Sequence, residues 1–164
     1  MNKNLPLKRE FSSGAVVYKK TANKLLFLLG KHSGYHKWVL PKGLIEKGEK
    51  GINTAARETE EEMGVKAKLI SDKPIHKETY FYFADFKKEQ KDTRRVAVYQ
   101  EEGGGKIKVF KTVTFYLMEY VAGDPEEHGW EMEDSGWFEY KKALELMSFE
   151  GEKKALEKAN KAIK

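Results

Sequence analysis

Three glutamates, Glu58, Glu61 and Glu62, crowd one short stretch of residues 43–65. At 100° per residue they fall at roughly 0°, 300° and 40° on a helical wheel, so a helix there carries all three carboxylates on one face. Ile52, Ala55, Ala56, Thr59 and Met63 fall at roughly 60° to 160°, a stripe suited to face a core. Arg57, at roughly 260°, lies beside the acidic face and offsets part of its charge. Like charges at these spacings cost a helix a few tenths of a kcal/mol per pair, and a divalent cation relieves them. Oxygen-only ligands favour Mg²⁺, Mn²⁺ or Ca²⁺ over zinc or copper. Carboxylates holding a Mg²⁺ that keeps some of its waters are the usual device of phosphoryl chemistry. Taken alone, Glu-x-x-Glu-Glu equally describes a solvated helix face.

The wider spacing separates the two readings. Gly43 is followed after five residues by Glu49, after seven more by Arg57-Glu58, then by Glu61-Glu62, Gly64 and the aliphatic Val65. This pattern resembles the signature of the Nudix hydrolase family, with every fixed residue present. Thr59 stands where an aliphatic residue is usual. The resemblance implies a loop–helix–loop that binds divalent metal and hydrolyses a nucleoside diphosphate linked to another group, with Mg²⁺ as the expected cofactor and Mn²⁺ as its substitute. By position, it implies Glu58 and Glu62 as principal metal ligands, with Glu61 contributing directly or through water. Glu58 is further implied as the group that orients or deprotonates the attacking water. Glu49 and Arg57 are implied to brace the loop against the helix start, and the backbone carbonyl of Lys42 is a further possible ligand.

Residues 38–43, Trp-Val-Leu-Pro-Lys-Gly, and residues 111–118 are similar to the diadenosine tetraphosphate hydrolase branch of that family, as are Gly129-Trp130-Glu131, Trp137-Phe138 and the terminal helices. That similarity implies diadenosine tetraphosphate as the substrate, cleaved to ATP and AMP. Polyphosphates call for cations and bases call for aromatic faces; Lys42 and Lys111 are the phosphate candidates, and Tyr82 and Tyr116 the stacking candidates. Glu131 is expected to join the metal site from its loop, with Glu133 as the next choice. Rival substrates are diphosphoinositol polyphosphates, triphosphate RNA 5′ ends and oxidised nucleoside triphosphates. A non-catalytic Nudix-fold module binding RNA is the rival from another class, although such a module is expected to lose box carboxylates. His32, His36, His76 and His128 show no ligand spacing, so structural or surface roles are expected of them.

The elements that must position these residues follow from patterning. The 164 residues carry 31 Lys and Arg against 26 Asp and Glu, a net charge of +5, with no cysteine. This excludes disulfides, Cys-ligated metals and a thiol nucleophile. The longest apolar run, residues 25–29, is far short of the roughly 20 residues a membrane helix needs. The first residues show no apolar stretch, so a cytoplasmic protein without a secretory leader or membrane partner is expected, forming one domain over 1–164. Its expected partner is a small nucleotide, with nucleic acid entering only as an RNA 5′-end substrate. Residues 11–18 and 24–31 read as a β-hairpin, 38–40 as a short strand stopped by Pro41, and 43–51 as a Gly-rich loop. Residues 52–63 read as a helix closed by Gly64. Strands are expected over 65–70, 75–86, 107–121 and 134–140, and helices over 141–147 and 152–163. The charged residues 87–105 are expected to form a solvated hairpin tip, with 95–99 as a possible strand. Strands mixed with three helices indicate the α/β class; the resemblance implies a Nudix-type α/β/α sandwich with a mixed sheet.

Overall fold

The two apolar runs flanking residues 21–24 form the expected hairpin. In the computed structural model, residues 7–84 and 107–164 are described. Strand β1 (Leu7–Lys20) turns into β2 (Leu25–His32), with Tyr18 opposite Phe27 and Lys20 opposite Leu25. Thr21 closes the turn by donating its N–H to the Lys24 carbonyl at 2.9 Å and accepting the Lys24 N–H on its hydroxyl at 3.1 Å.

After β3 (Trp38–Val39) the chain differs from its sequence pattern. The expected Gly-rich loop opens as a strand, β4 (Lys42–Leu44), antiparallel to β1 with Ser13 opposite Gly43 and Gly14 opposite Lys42. Pro41 lacks an N–H, yet its carbonyl accepts the Ala15 N–H at 3.0 Å, so the ladder runs through the proline instead of stopping there. Helix α1 (Gly51–Met63) follows. It ends at Gly64, whose φ of +67° lies in the left-handed region and whose N–H donates to the Glu60 carbonyl at 3.0 Å. A glycine takes that conformation without a Cβ penalty.

The remaining elements are β5 (Val65–Leu69), β6 (His76–Ala84), β7 (Ile107–Gly123), a 3-10 turn at Pro125–Glu127, β8 (Met132–Glu139), α2 (Tyr140–Leu146) and α3 (Glu150–Ile163). The strands join one eight-stranded sheet in the order β3-β2-β1-β7-β5, with β4 on β1, β6 on β7 and β8 on β2. This is the α/β class expected from the patterning. Among the described residues no helix is long and apolar enough to cross a membrane. The expected tip at 87–105 and strand at 95–99 lie outside the described residues.

The chain divides into two compact units, residues 12–78 with 113–164, and residues 1–11 with 79–112. The larger one holds α1, α2 and α3. Its core joins Ala15 and Val17 of β1, Leu28 of β2, Val39 of β3, Ala55 and Met63 of α1, and Val65, Met118 and Met132, all buried. Ala155, Leu156 and Ala159 supply the buried stripe of α3, while Ile163 is half-buried. In the other unit the Phe81 and Phe110 rings stack at 6.3 Å, and Arg9 and Lys108 lie over those rings at 5.3 and 4.2 Å.

Candidate active site

The acidic face of α1 is graded in depth. Glu62 is buried at 8% exposure, the Glu58 side chain is 13% exposed and that of Glu61 is 58% exposed. Strand β4 covers the inner end of this face. The Lys42 N–H donates to Glu62 Oε2 at 3.2 Å, and Gly43 lies so close to Glu58 that a Cβ there would overlap the carboxylate. The first glycine of the pattern is therefore a matter of space: any side chain at 43 would evict Glu58.

Arg57 ties the pattern's remaining residues together. Its Nε and Nη2 donate to the two oxygens of Glu49 at 2.8 and 3.0 Å, and Nη2 also reaches the Leu44 carbonyl at 3.3 Å. Its Nη1 donates to Glu58 Oε1 at 2.9 Å and Glu61 Oε2 at 3.1 Å. Glu49 further accepts the Thr54 hydroxyl at 2.5 Å and the Glu46 N–H at 3.2 Å. The loop after β4 is thereby pinned to the first turns of the helix, and the same guanidinium holds two of the helix's acidic oxygens.

A third element brings in Glu131. The Gly129 N–H donates to the Glu62 carbonyl at 3.0 Å, and the Ser33 N–H and hydroxyl both donate to the Glu131 carbonyl, at 2.8 and 2.9 Å. So anchored, Glu131 is held beside the end of the acidic helix face that carries Glu62. Glu133, the alternative, points elsewhere: it is paired with His36 at 3.0 Å and Lys31 at 3.4 Å, and those contacts hold its carboxyl below the ordinary range.

Burial dominates the electrostatics. It pushes Glu58 up to about 7 against the opposing pull of Arg57, with Glu61 and Glu131 adding repulsion. It raises Glu62 well above the ordinary carboxylate range and raises Glu131 as well, the Lys42 charge opposing both shifts. Glu49 goes the other way, down to about 2, because Arg57 and then Thr54 hydrogen-bond its ionised form. Carboxyl groups shifted in opposite directions within one site are a mark of acid–base sites. His32 is lowered to about 4 by burial and by Lys42; its ring stacks on Tyr35 at 4.0 Å and accepts the Gly34 N–H at 3.0 Å.

Glu58, Glu61, Glu62 and Glu131 form an all-oxygen, anionic, partly buried donor set, which fits a hard divalent cation. Among the described residues no three His, Asp or Glu side chains converge on one point as they stand. Arg57 holds Glu58 and Glu61, and the Lys42 N–H holds Glu62, so the carboxylates would re-aim to hold an ion.

The candidate substrate residues fall in both units. Lys42 lies beside Glu62, its Nζ 3.7 Å from Glu152. Tyr116 is partly buried against the core, its hydroxyl near Gly51 at the start of α1. Lys111 and Tyr82 belong to the smaller unit, where the Tyr82 hydroxyl donates to Glu10 at 2.8 Å. Sequence reasoning missed Thr54 and Glu152. Thr54 sits on the helix's buried side, and nothing in its type announces a bond to Glu49. Glu152 carried a signal: it precedes Leu156 by four residues, in line with the apolar stripe of its helix.

A family model described as a NUDIX domain matches residues 8–159. The asymmetrical bis(5′-nucleosyl)-tetraphosphatase of Caenorhabditis elegans is 41% identical over 75 residues, covering 44% of this chain and 54% of that protein. The Sus scrofa protein of the same name is 50% identical over 40 residues, 24% of this chain and 27% of that one. The chain spans about half, or less, of the length of these curated relatives. Among solved structures, a C. elegans Ap4A hydrolase in a binary complex has a TM-score of 0.67 at 26% identity, over 94% of this chain and 97% of that one. The E. coli dihydroneopterin triphosphate pyrophosphohydrolase shares the fold alone, with a TM-score of 0.59 at 17% identity over 93% and 95%. With the family model spanning nearly the whole chain and its signature residues gathered around one helix, this protein belongs to the Nudix family.

Proposed function

We propose that the protein is a divalent-metal-dependent hydrolase of dinucleoside polyphosphates that converts diadenosine tetraphosphate and water to ATP and AMP. The observation that carries the reading is the placing of Glu58 and Glu62 on one helix face beneath β4, with Arg57 and Glu49 bracing it and Glu58 raised to about 7 by burial. A base with its pKa near neutrality is matched to taking a proton from water at ordinary pH. Similarity to hydrolases of the same name supports the choice of substrate.

In this reading Glu58, Glu62, Glu131 and, from the rim, Glu61 would hold Mg²⁺ or Mn²⁺, which would neutralise polyphosphate charge and make the attacking water more acidic. Glu58 accepts the water's proton as the new P–O bond forms and the bridging P–O bond breaks, and the departing phosphate keeps the bridging oxygen. Arg57 and Glu49 position Glu58, because their contacts decide where its carboxylate can point. Lys42 lies next to the carboxylates, close enough in charge to act on Glu62 and Glu131, and is the proposed phosphate contact on this side. Phosphate contact by Lys111 and base stacking by Tyr82 and Tyr116 are proposed from the sequence alone.

The test is a Mg²⁺-dependent comparison of kcat/KM for diadenosine tetraphosphate, a diphosphoinositol polyphosphate, triphosphate-ended RNA and oxidised dGTP, with products identified in ¹⁸O-labelled water. Diadenosine tetraphosphate should lead, EDTA should abolish turnover, and Glu58→Gln should lower kcat by about 100-fold or more with the fold intact. A mononucleotide that clearly leads would refute the dinucleotide reading. RNA retained in EDTA without turnover of any substrate would replace the enzyme by a binding module.

A further inference from the structure

Helix α3 turns a carboxylate toward the strand that enters the site. Glu152 is 2% exposed and lies in line with buried Ala155, Leu156 and Ala159. Its Oε1 accepts the Leu40 N–H at 2.9 Å and lies 3.7 Å from Lys42 Nζ, on a lysine side chain that is itself only 13% exposed. The main chain of that same lysine donates to Glu62 Oε2 at 3.2 Å. Lys42 is thus joined to one buried carboxylate through its backbone and to another through its ammonium group. The ammonium charge also acts on Glu62 and Glu131, opposing the upward shift of both.

A buried glutamate is expensive, and an apolar residue would fill the same space without the desolvation cost. What the carboxylate supplies is a second anchor for Lys42. An ammonium ion and a divalent cation compete for the same carboxylate oxygens. The Glu152 charge draws the Lys42 ammonium toward α3.

We propose that Glu152 is a positioning residue that holds the Lys42 ammonium back from Glu62 and Glu131, and thereby sets how strongly the cluster takes a divalent cation. The proposal rests on the reading of Glu58, Glu62 and Glu131 as the metal-binding set. It assigns Lys42 a role in the substrate-free protein, apart from any phosphate contact.

The test is isothermal titration of Mn²⁺ into substrate-free protein, with thermal melting as a check on folding. Glu152→Gln keeps an oxygen for the Leu40 N–H and removes only the charge. It should weaken Mn²⁺ binding about tenfold, within the range by which residues supporting metal ligands alter affinity. Lys42→Met should bind Mn²⁺ at least as tightly as the wild type, and adding Glu152→Gln to it should then change little. A helix-packing role alone would lower the melting temperature and leave Mn²⁺ affinity unmoved. The proposal fails if folded Glu152→Gln binds Mn²⁺ like the wild type, if its loss is equally large in the Lys42→Met background, or if Lys42→Met itself weakens binding. Wild-type protein that binds no Mn²⁺ would instead overturn the metal-site reading, and this proposal with it.

Discussion

Glu49→Gln is the most informative single change, because it removes one charge and almost no volume. Four donors converge on the wild-type carboxylate: Arg57 Nε and Nη2, the Thr54 hydroxyl and the Glu46 N–H, all between 2.5 and 3.2 Å. The Glu49 and Arg57 side chains are 16% and 25% exposed, so the pair is neither fully desolvated nor freely solvated. Hydrogen bonds to charged groups contribute about 1.5–3 kcal/mol each when buried, and exposed ion pairs less than about 1. Glutamine keeps one acceptor but presents an NH₂ to the other arm of the guanidinium, and we expect a loss of about 2 kcal/mol, or about 4–8 °C in Tm for a chain of this size. The pH dependence isolates the charge. The Glu49 carboxyl sits at about 2 in the fold against an ordinary value of 4.5. Its contribution is therefore full above about 4.5 and is lost as pH falls through about 2. The difference in Tm between wild type and variant should be constant near neutrality and shrink over that acid range. The variant should also need more Mg²⁺ for half-maximal rate, because Arg57 Nη1 is left to Glu58 and Glu61. A Tm within 1 °C of the wild type at pH 7, or a difference that persists undiminished at pH 3, would refute the reasoning.

Two further outcomes follow from close contacts. Gly43→Ala places a methyl group on the Glu58 carboxylate, so the strand or the glutamate must move; overpacking of this kind costs about 1–3 kcal/mol, and kcat should fall at least tenfold. Full activity in that variant would mean that Glu58 does not act from its observed position. His32, lowered to about 4, resists the proton that an unfolded histidine takes near 6.5. Stability should therefore fall as pH drops from about 6.5 through about 4, by about 1 kcal/mol once its partial exposure is allowed for. His32→Asn keeps an acceptor for the Gly34 N–H and should flatten that part of the Tm profile, measured by differential scanning calorimetry.

The hairpin at residues 21–24, the helix ending at Gly64 and the identity of the acidic helix face were legible because each depends on neighbours in the chain. Their turn residues, capping glycine and 3.6-residue period act over a few positions. The strand at Lys42–Leu44 was not legible: three residues containing a glycine and preceded by a proline have no strand signal of their own. They pair because β1, some thirty residues earlier, offers a ladder partner. The different surroundings of Glu131 and Glu133 were not legible for the same reason. Both are acidic and two residues apart, and only the fold ties the Glu131 main chain to Ser33 while His36 and Lys31 claim the Glu133 side chain.

By itself, then, the chain's sequence determined its family, its helix with the carboxylates in order, and the all-oxygen chemistry that such a helix can support. Tertiary structure decided how deep each carboxylate lies, and depth sets its charge. Glu62 is buried, Glu58 is poised near neutrality and Glu61 stays in solvent because β4 and the loop bearing Glu131 cover α1 unequally. The buried Glu152, brought to Lys42 from the last helix, depends on contacts more than a hundred residues apart. Spacing along a chain states which groups can share a face; the cost of removing a charge from water depends on everything packed over it.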